Sequence, residues 1–170
     1  PSRKKSMSIN SNPSKDFIKT ENILIIGNGG RENALAWAIA RNELVKKIYV
    51  IPGNAGSEKI KKCERIILDI NNQKQLIEKI NFLEIDLVVI GPEIPLANGL
   101  GDLLRKNNFK VFGPNRDGAK LEFSKSWAKE FMQDANIPTA KFWKVNSLEE
   151  AKQLINNSNS PLVVKADGLA

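Results

Sequence analysis

Four short apolar runs stop at a glycine or at a glycine–proline pair: "NILIIG" (22–27), "KIYVI" (47–51, before Pro52-Gly53), "DLVVIG" (86–91) and "FKVFG" (109–113). Runs this short, with little polar alternation, read as strands buried on both faces, and strands of that kind belong to parallel sheets. "RIILD" (65–69) adds a further candidate strand. The stretches between them repeat their apolar residues at helical spacing. Residues 30–42 place Ala34, Leu35, Trp37, Ala38 and Ile39 on one broad face, and residues 71–82 do the same with Leu76, Ile77 and Ile80. Residues 95–107 read as one more helix, with Pro95 suited to its first turn. Strand and helix in this rhythm predict an α/β fold, a doubly wound, Rossmann-like parallel sheet with helices on both faces. All the strand ends then share one edge, the edge at which open α/β sheets bind ligands.

From residue 114 the pattern changes. Residues 116–135 predict helix in two pieces, with Ser124 as N-cap of the second. "NIPTAKFWKV" (136–145) reads as a turn and then a strand. Residues 147–156 read as an amphipathic helix capped by Ser147, with Glu150 in the capping-box position. "PLVVKADGLA" (161–170) opens as another strand with little chain left to pair with it. The expected division is a disordered leader over 1–20, a substrate-binding domain over 21–123, and the truncated beginning of a second domain over 124–170. No internal repeat is visible.

Charge separates along the chain. The net charge is +7, and residues 1–20 hold five cations against Asp16, so +4 of it sits in a tail rich in Ser, Asn and Lys. A tail so poor in apolar residues is expected to be disordered. The remaining +3 forms no basic stripe with interleaved aromatics, which argues against nucleic acid as a partner. No apolar run approaches the roughly 20 residues that span a bilayer, so no membrane association is expected. Cys63 is the single cysteine, which fits a reducing compartment. The leader lacks the apolar core of a secretory signal. Being basic and Ser-rich it is compatible with an organelle transit peptide, but a cytoplasmic location is the preferred reading.

The loop after the first strand, "GNGGRE", concentrates chemistry. Amides at the positive end of a helix suit an anion such as phosphate, and Arg31 adds a bidentate donor. The dinucleotide fingerprint G-x-G-x-x-G is not met: Gly27 and Gly29 match, but the third position is Glu32. Nor does an acid follow the second strand until Glu58. A nicotinamide enzyme is therefore disfavoured. A purely structural role, in which the glycines only bring helix and strand close, stays open beside binding of a phosphorylated small molecule. "PGNAG" (52–56) and "GPE" (91–93) supply flexible backbone, the amide of Asn54 and the carboxylate of Glu93 beside the same edge.

Taken in order, "GNGGRE", "PGNAG", "GPE" with "PL", "FGP", the lysines of "SKSWAK" and "VVKADG", and "VVKADGLA" closely resemble the phosphoribosylamine–glycine ligase family of the ATP-grasp superfamily. The resemblance covers residues 22–170. It implies that ATP phosphorylates the carboxylate of glycine and that the amine of 5-phosphoribosylamine attacks the acyl phosphate, giving glycinamide ribonucleotide, ADP and phosphate in purine synthesis. By the same resemblance Gly27, Asn28, Gly29, Gly30, Arg31 and Glu32 hold the phosphoribosyl group. Pro52, Gly53, Asn54, Gly56, Gly91, Pro92 and Glu93 flank that pocket, and Lys125 and Lys165 face the phosphates of ATP. The implied partners are small molecules alone, the implied cofactors ATP and Mg2+ or Mn2+, and the expected state a monomer.

The family usually carries His after "GGRE", where this chain has Asn33 and no histidine anywhere. The metal ligands are expected beyond Ala170, so no metal-binding or catalytic residue is assigned, and the 170 residues are not expected to catalyse the reaction by themselves. Another ATP-grasp ligase or carboxylase, and a non-catalytic phosphoribosyl-binding module, remain as alternatives.

Overall fold

The computed structural model describes residues 21–168. The leader expected over 1–20 lies outside the described residues, as do the last two positions of "VVKADGLA".

Five parallel strands form one sheet: β1 (Asn22–Gly27), β2 (Lys47–Pro52), β3 (Cys63–Arg65), β4 (Leu87–Ile90) and β5 (Val111–Phe112). Their spatial order is β3-β2-β1-β4-β5. The chain winds outward from β1 to β3, then returns to β1's other side and winds outward again. The reversal lies between β1 and β4, where the register pairs Ile26 with Ile90. Such a reversal opens a crevice beyond the carboxyl ends of the two strands.

Period-two alternation explains the layers. Ile23 and Ile25 of β1 face α1 (Gly30–Ala40), joining Ala36, Val45, Ile48, Val50 and Val89 in one cluster. Leu24 and Ile26 face the other way, into the larger core. There they meet Leu76 and Ile80 of α2 (Gln73–Phe82), Leu96 of α3 (Glu93–Ala97), and Leu100 and Leu104 of α4 (Leu100–Lys106). Leu24, Ile25 and Ile26 are fully inaccessible, as a strand covered on both faces must be.

Beyond the sheet come α5 (Arg116–Phe123), α6 (Lys125–Asp134) and α7 (Leu148–Asn156). Asn115, Ser124 and Ser147 each accept a first-turn amide through the side chain. The Glu150 carboxylate reaches back to the amide of Asn146 rather than to that of the cap itself.

Four expectations need correction. The third strand is 63–65, not 65–69: past Arg65 the Ile66 amide still bonds the Val50 carbonyl at 3.0 Å, but the ladder ends there, with Ile66, Leu68 and Ile70 against the core and Ile67 turned to solvent. The helix expected over 95–107 is two, α3 and α4, because Gly99 adopts φ +82° between them and Glu93, not Pro95, opens the first. The strand expected within 136–145 is absent, and so is one within 161–168. Val163 is 80% exposed and Val164 76% exposed: with no neighbouring strand to take its backbone groups, an apolar run does not become a strand.

Candidate functional site

Two glycines stand on either side of the crevice, Gly27 closing β1 and Gly91 following β4. Gly27 has φ +135°, a conformation side chains rarely adopt. Gly91 is not in that region, yet it too has no room for a side chain. A methyl group on Gly91 would lie 2.1 Å from Oε1 of Glu32, and one on Gly27 would lie 2.5 Å from Cγ of the same residue. Both glycines clear space for one side chain, and that side chain is a carboxylate.

Glu32 is 3% exposed. It is the third residue of α1, and its Oε2 accepts the amide of Gly29, the N-cap, at 2.8 Å. This is the carboxylate half of a capping box; Gly29 has no side chain to complete the other half. Oε1 accepts Nε–H of Arg31 at 3.1 Å. The negative charge sits at the positive end of the helix, where the macrodipole favours it.

Arg31 reaches across the crevice. Its Nη1 donates to Oε1 of Glu93 at 3.0 Å, joining the first turn of α1 to the first residue of α3. The hydrogen bond from Arg31 is the main cause that holds the Glu93 carboxyl below the usual glutamate range. Glu93, followed by Glu32, pushes the guanidinium up from an already high value. The pair is open to water, with the arginine side chain 54% exposed.

The loop after β2 is fastened to the same place. Asn54 donates through Nδ2 to the carbonyl of Asn28 at 2.9 Å and to that of Gly29 at 3.3 Å. Its Oδ1 accepts the amides of Gly56 at 2.8 Å and Ser57 at 3.1 Å. Ser57, 1% exposed, accepts the Asn54 amide in return. The amide of Gly53 donates to the Gly27 carbonyl at 3.1 Å, and that of Gly91 to Ile26 at 3.1 Å.

The structure thus gathers the thirteen residues expected around the phosphoribosyl group at one sheet edge, but it divides their roles. Asn28, Gly30 and Arg31 are exposed, while Gly29, Pro52, Gly56, Pro92 and Glu93 are half-buried. Glu32 and Asn54 turn inward and bond the loops themselves. The first-turn amides of Gly30 and Arg31 are those a helix leaves without an internal acceptor. Asn33 has a buried Oδ1 with no hydrogen-bond partner among the described residues, and a methyl group on Gly56 would lie 2.9 Å from it.

The two lysines lie elsewhere. Lys125 is the exposed first residue of α6, and Lys165 is exposed in a segment outside any helix or strand. Asp167 ties that segment to α6, accepting the Ser126 amide at 3.1 Å and the hydroxyls of Ser124 and Ser126. The bonds from Ser126, its hydroxyl foremost and then its amide, pull the Asp167 carboxyl down to about 2. Asp167 lies within the "VVKADG" motif, where only the lysine drew a role, and Ser57 lies just outside "PGNAG"; it sits three residues past Asn54, a spacing typical of Asx turns.

Among the described residues no group of three or more His, Cys, Asp or Glu could hold a metal ion. Glu32 and Glu93, the carboxylates of the crevice, both already face Arg31. The residues present do not fit a divalent cation. No described helix is long and apolar enough to cross a membrane.

Comparison with known proteins finds a family for the sequence. Residues 21–122 match the family model of the phosphoribosylglycinamide synthetase N domain, and residues 123–170 match that family's ATP-grasp (A) domain. A phosphoribosylamine–glycine ligase of Clostridium acetobutylicum is 44% identical over 148 residues, which is 87% of this chain and 35% of that protein. Its counterpart in Nostoc is 42% identical over the same length and shares. A trifunctional purine biosynthetic protein adenosine-3 of Drosophila pseudoobscura is 42% identical over 89% of this chain and 11% of its own. The chain spans about a third of the length of the single-function relatives.

Among solved structures, the biotin carboxylase domain of a Hydrogenobacter thermophilus 2-oxoglutarate carboxylase superposes with a TM-score of 0.58 at 14% identity, over 83% of this chain and 33% of that one. An N5-carboxyaminoimidazole ribonucleotide synthetase from Thermotoga maritima gives 0.51 at 16%, over 79% and 36%. At such identity the likeness is one of fold. The fold is shared with both of these enzymes, but the sequence match runs through the crevice loops and through the segment carrying both lysines, and on that ground the chain belongs to the phosphoribosylglycinamide synthetase family.

Proposed function

We propose that these residues form the phosphoribosyl-binding part of a phosphoribosylamine–glycine ligase, with residues 21–123 as the substrate domain and 124–170 as the opening of the ATP-grasp domain. The observation that carries the reading is the meeting of Arg31 with Glu93 at 3.0 Å in the crevice beside first-turn amides. A sugar phosphate needs donors at one end and, when its anomeric substituent is an amine, an acceptor at the other. Gly30, Arg31 and the guanidinium supply the donors. Glu93 supplies the acceptor.

The reaction proposed is the one that the resemblance implies. An oxygen of the glycine carboxylate takes the terminal phosphoryl group of ATP, releasing ADP. The amine of 5-phosphoribosylamine then attacks the glycyl carbon, the carbon–oxygen bond to phosphate breaks, and glycinamide ribonucleotide and phosphate leave, with the proton of the amine passing to solvent. Holding the amine in a fixed pose makes the attack effectively intramolecular. Within this chain Lys125 and Lys165 are the residues that would face ATP phosphates, as point charges without fixed fork geometry. ATP and a divalent ion belong to the proposed whole enzyme. Since the described residues do not fit the ion, it is given no ligand here. The whole enzyme is proposed as a cytoplasmic monomer that acts on small molecules.

Titration of the chain with ribose 5-phosphate tests the site: amide resonances of residues 27–32, 54 and 93 shift, and those of 125–134 do not. A protein of the relatives' full length that carries this segment releases phosphate from ATP only when glycine and phosphoribosylamine are both supplied. Release with bicarbonate or formate in place of glycine would favour another ATP-grasp activity.

A further inference from the structure

Position 32 is where the dinucleotide fingerprint has its third glycine, which lets helix and strand pack closely. This chain puts a carboxylate there and makes room for it with glycines on both sides of the sheet's reversal. Glu32 is buried, only 3% exposed, and it bonds the amide of the N-cap and the Nε of Arg31. By holding Nε, it orients the planar guanidinium, whose Nη1 donates to Glu93 across the crevice. By holding the Gly29 amide, it sets the turn from which the Gly30 and Arg31 amides project.

We propose that Glu32 is a positioning residue: it touches no ligand, and orders the amides and the guanidinium that do. The inference rests on the proposed phosphoribosyl site. It also accounts for Gly91, whose backbone needs no glycine. Gly91 is a glycine because Glu32 lies against it. A group that must be rigid to bind an anion is best held by a partner that is itself locked by packing.

The test uses Glu32→Gln, Glu32→Ala, Gly91→Ala and the Glu32→Ala/Gly91→Ala pair in the 170-residue chain. Ribose 5-phosphate affinity is read by calorimetry, and the Arg31 Nε–H resonance and the thermal midpoint are recorded alongside. Glu32→Gln keeps the shape and one acceptor but loses the charge, and is expected to bind about tenfold more weakly, the scale of a lost charged hydrogen bond. The Nε–H resonance is expected to move upfield and exchange faster. Gly91→Ala is expected to lower the thermal midpoint in the parent chain and to lower it no further in Glu32→Ala, because the colliding atoms are gone. Gly27→Ala serves as control: its φ strains any side chain, so Glu32→Ala does not rescue it.

If the parent binds ribose 5-phosphate and folded Glu32→Gln binds it equally well, the positioning role falls while the site stands. If the parent does not bind at all, the site falls and the role with it. Additive midpoints for the Glu32→Ala/Gly91→Ala pair would overturn the account of Gly91.

Discussion

Arg31 and Glu93 sit 62 residues apart in sequence, in the first turns of helices that follow different strands, and their side chains meet at 3.0 Å over the crevice between β1 and β4. Glu93 titrates below the usual glutamate range chiefly because Arg31 donates to it. For a carboxylate of depressed pKa, the stabilisation is fully present above the ordinary glutamate value of about 4.3 and is lost as pH falls through its own lower value. The arginine is more than half exposed, so the pair contributes less than about 1 kcal/mol to folding. A carboxyl-carbon NMR titration checks the assignment. Arg31→Ala is expected to return the Glu93 midpoint towards the ordinary value, and an unmoved midpoint would mean that some other group depresses it.

Asn54 is expected to matter more for stability than its half-buried position in a loop suggests. Its one side chain bonds two carbonyls of the "GNGGRE" loop and two amides of its own. Asn54→Ala leaves those groups unpartnered and is expected to cost about 1–3 kcal/mol in urea unfolding. Asn54→Asp keeps the acceptor for Gly56 and Ser57 but sets an anion against the carbonyls of Asn28 and Gly29. Its loss is expected to be at least as large, and native stability in Asn54→Asp would show that the bonds to the first loop carry no weight.

The fold was legible where one chemistry dominated. Leu24, Ile25 and Ile26 in a row can only be a strand covered twice, and the glycine stops marked one sheet edge. What misled was local appearance without a neighbour. "FWKV" and "PLVV" look like strands, but strand formation is a property of pairs, and among the described residues neither segment has a partner. In the site, spacing located the loops correctly but could not say which way a side chain turns. Glu32 reads as a ligand group only through the resemblance of "GNGGRE", and Asn54 as a polar amide in a glycine-rich loop. Their inward orientation depends on Gly91 and Asn28, brought close only by the sheet. The need for a glycine at 91 is written 59 residues away, at Glu32.

Burial sets a further contrast. Leu24 is fully inaccessible and packs among β-strand and α2 side chains, whereas Val163 is 80% exposed. Leu24→Ala is expected to destabilise by about 2–5 kcal/mol. Val163→Ala is expected to stay within about 0.5 kcal/mol. Guanidinium unfolding of both variants measures the difference, and a comparable loss at Val163 would show that it is covered in solution.

Asp167 makes the most specific acid-range prediction. Its carboxylate takes the Ser126 amide and two serine hydroxyls at the start of α6, so the helix's unsatisfied amides and the anion stabilise each other. The carboxyl is pulled down to about 2, led by the Ser126 hydroxyl. The tie is therefore complete above the ordinary aspartate value of about 3.9 and loosens as pH falls towards about 2. Because the group is fully exposed, the effect is local: the segment carrying Lys165 comes away from α6 while the sheet stays folded. Amide exchange at 161–168 is expected to quicken through that pH window, with exchange in β1 unchanged. Ser126→Ala removes the leading donor and is expected to raise the Asp167 midpoint towards the ordinary value and move the whole transition to higher pH. A Ser126→Ala chain whose Asp167 still titrates near 2 would contradict the geometry, because the Ser126 hydroxyl is the foremost cause of the low value.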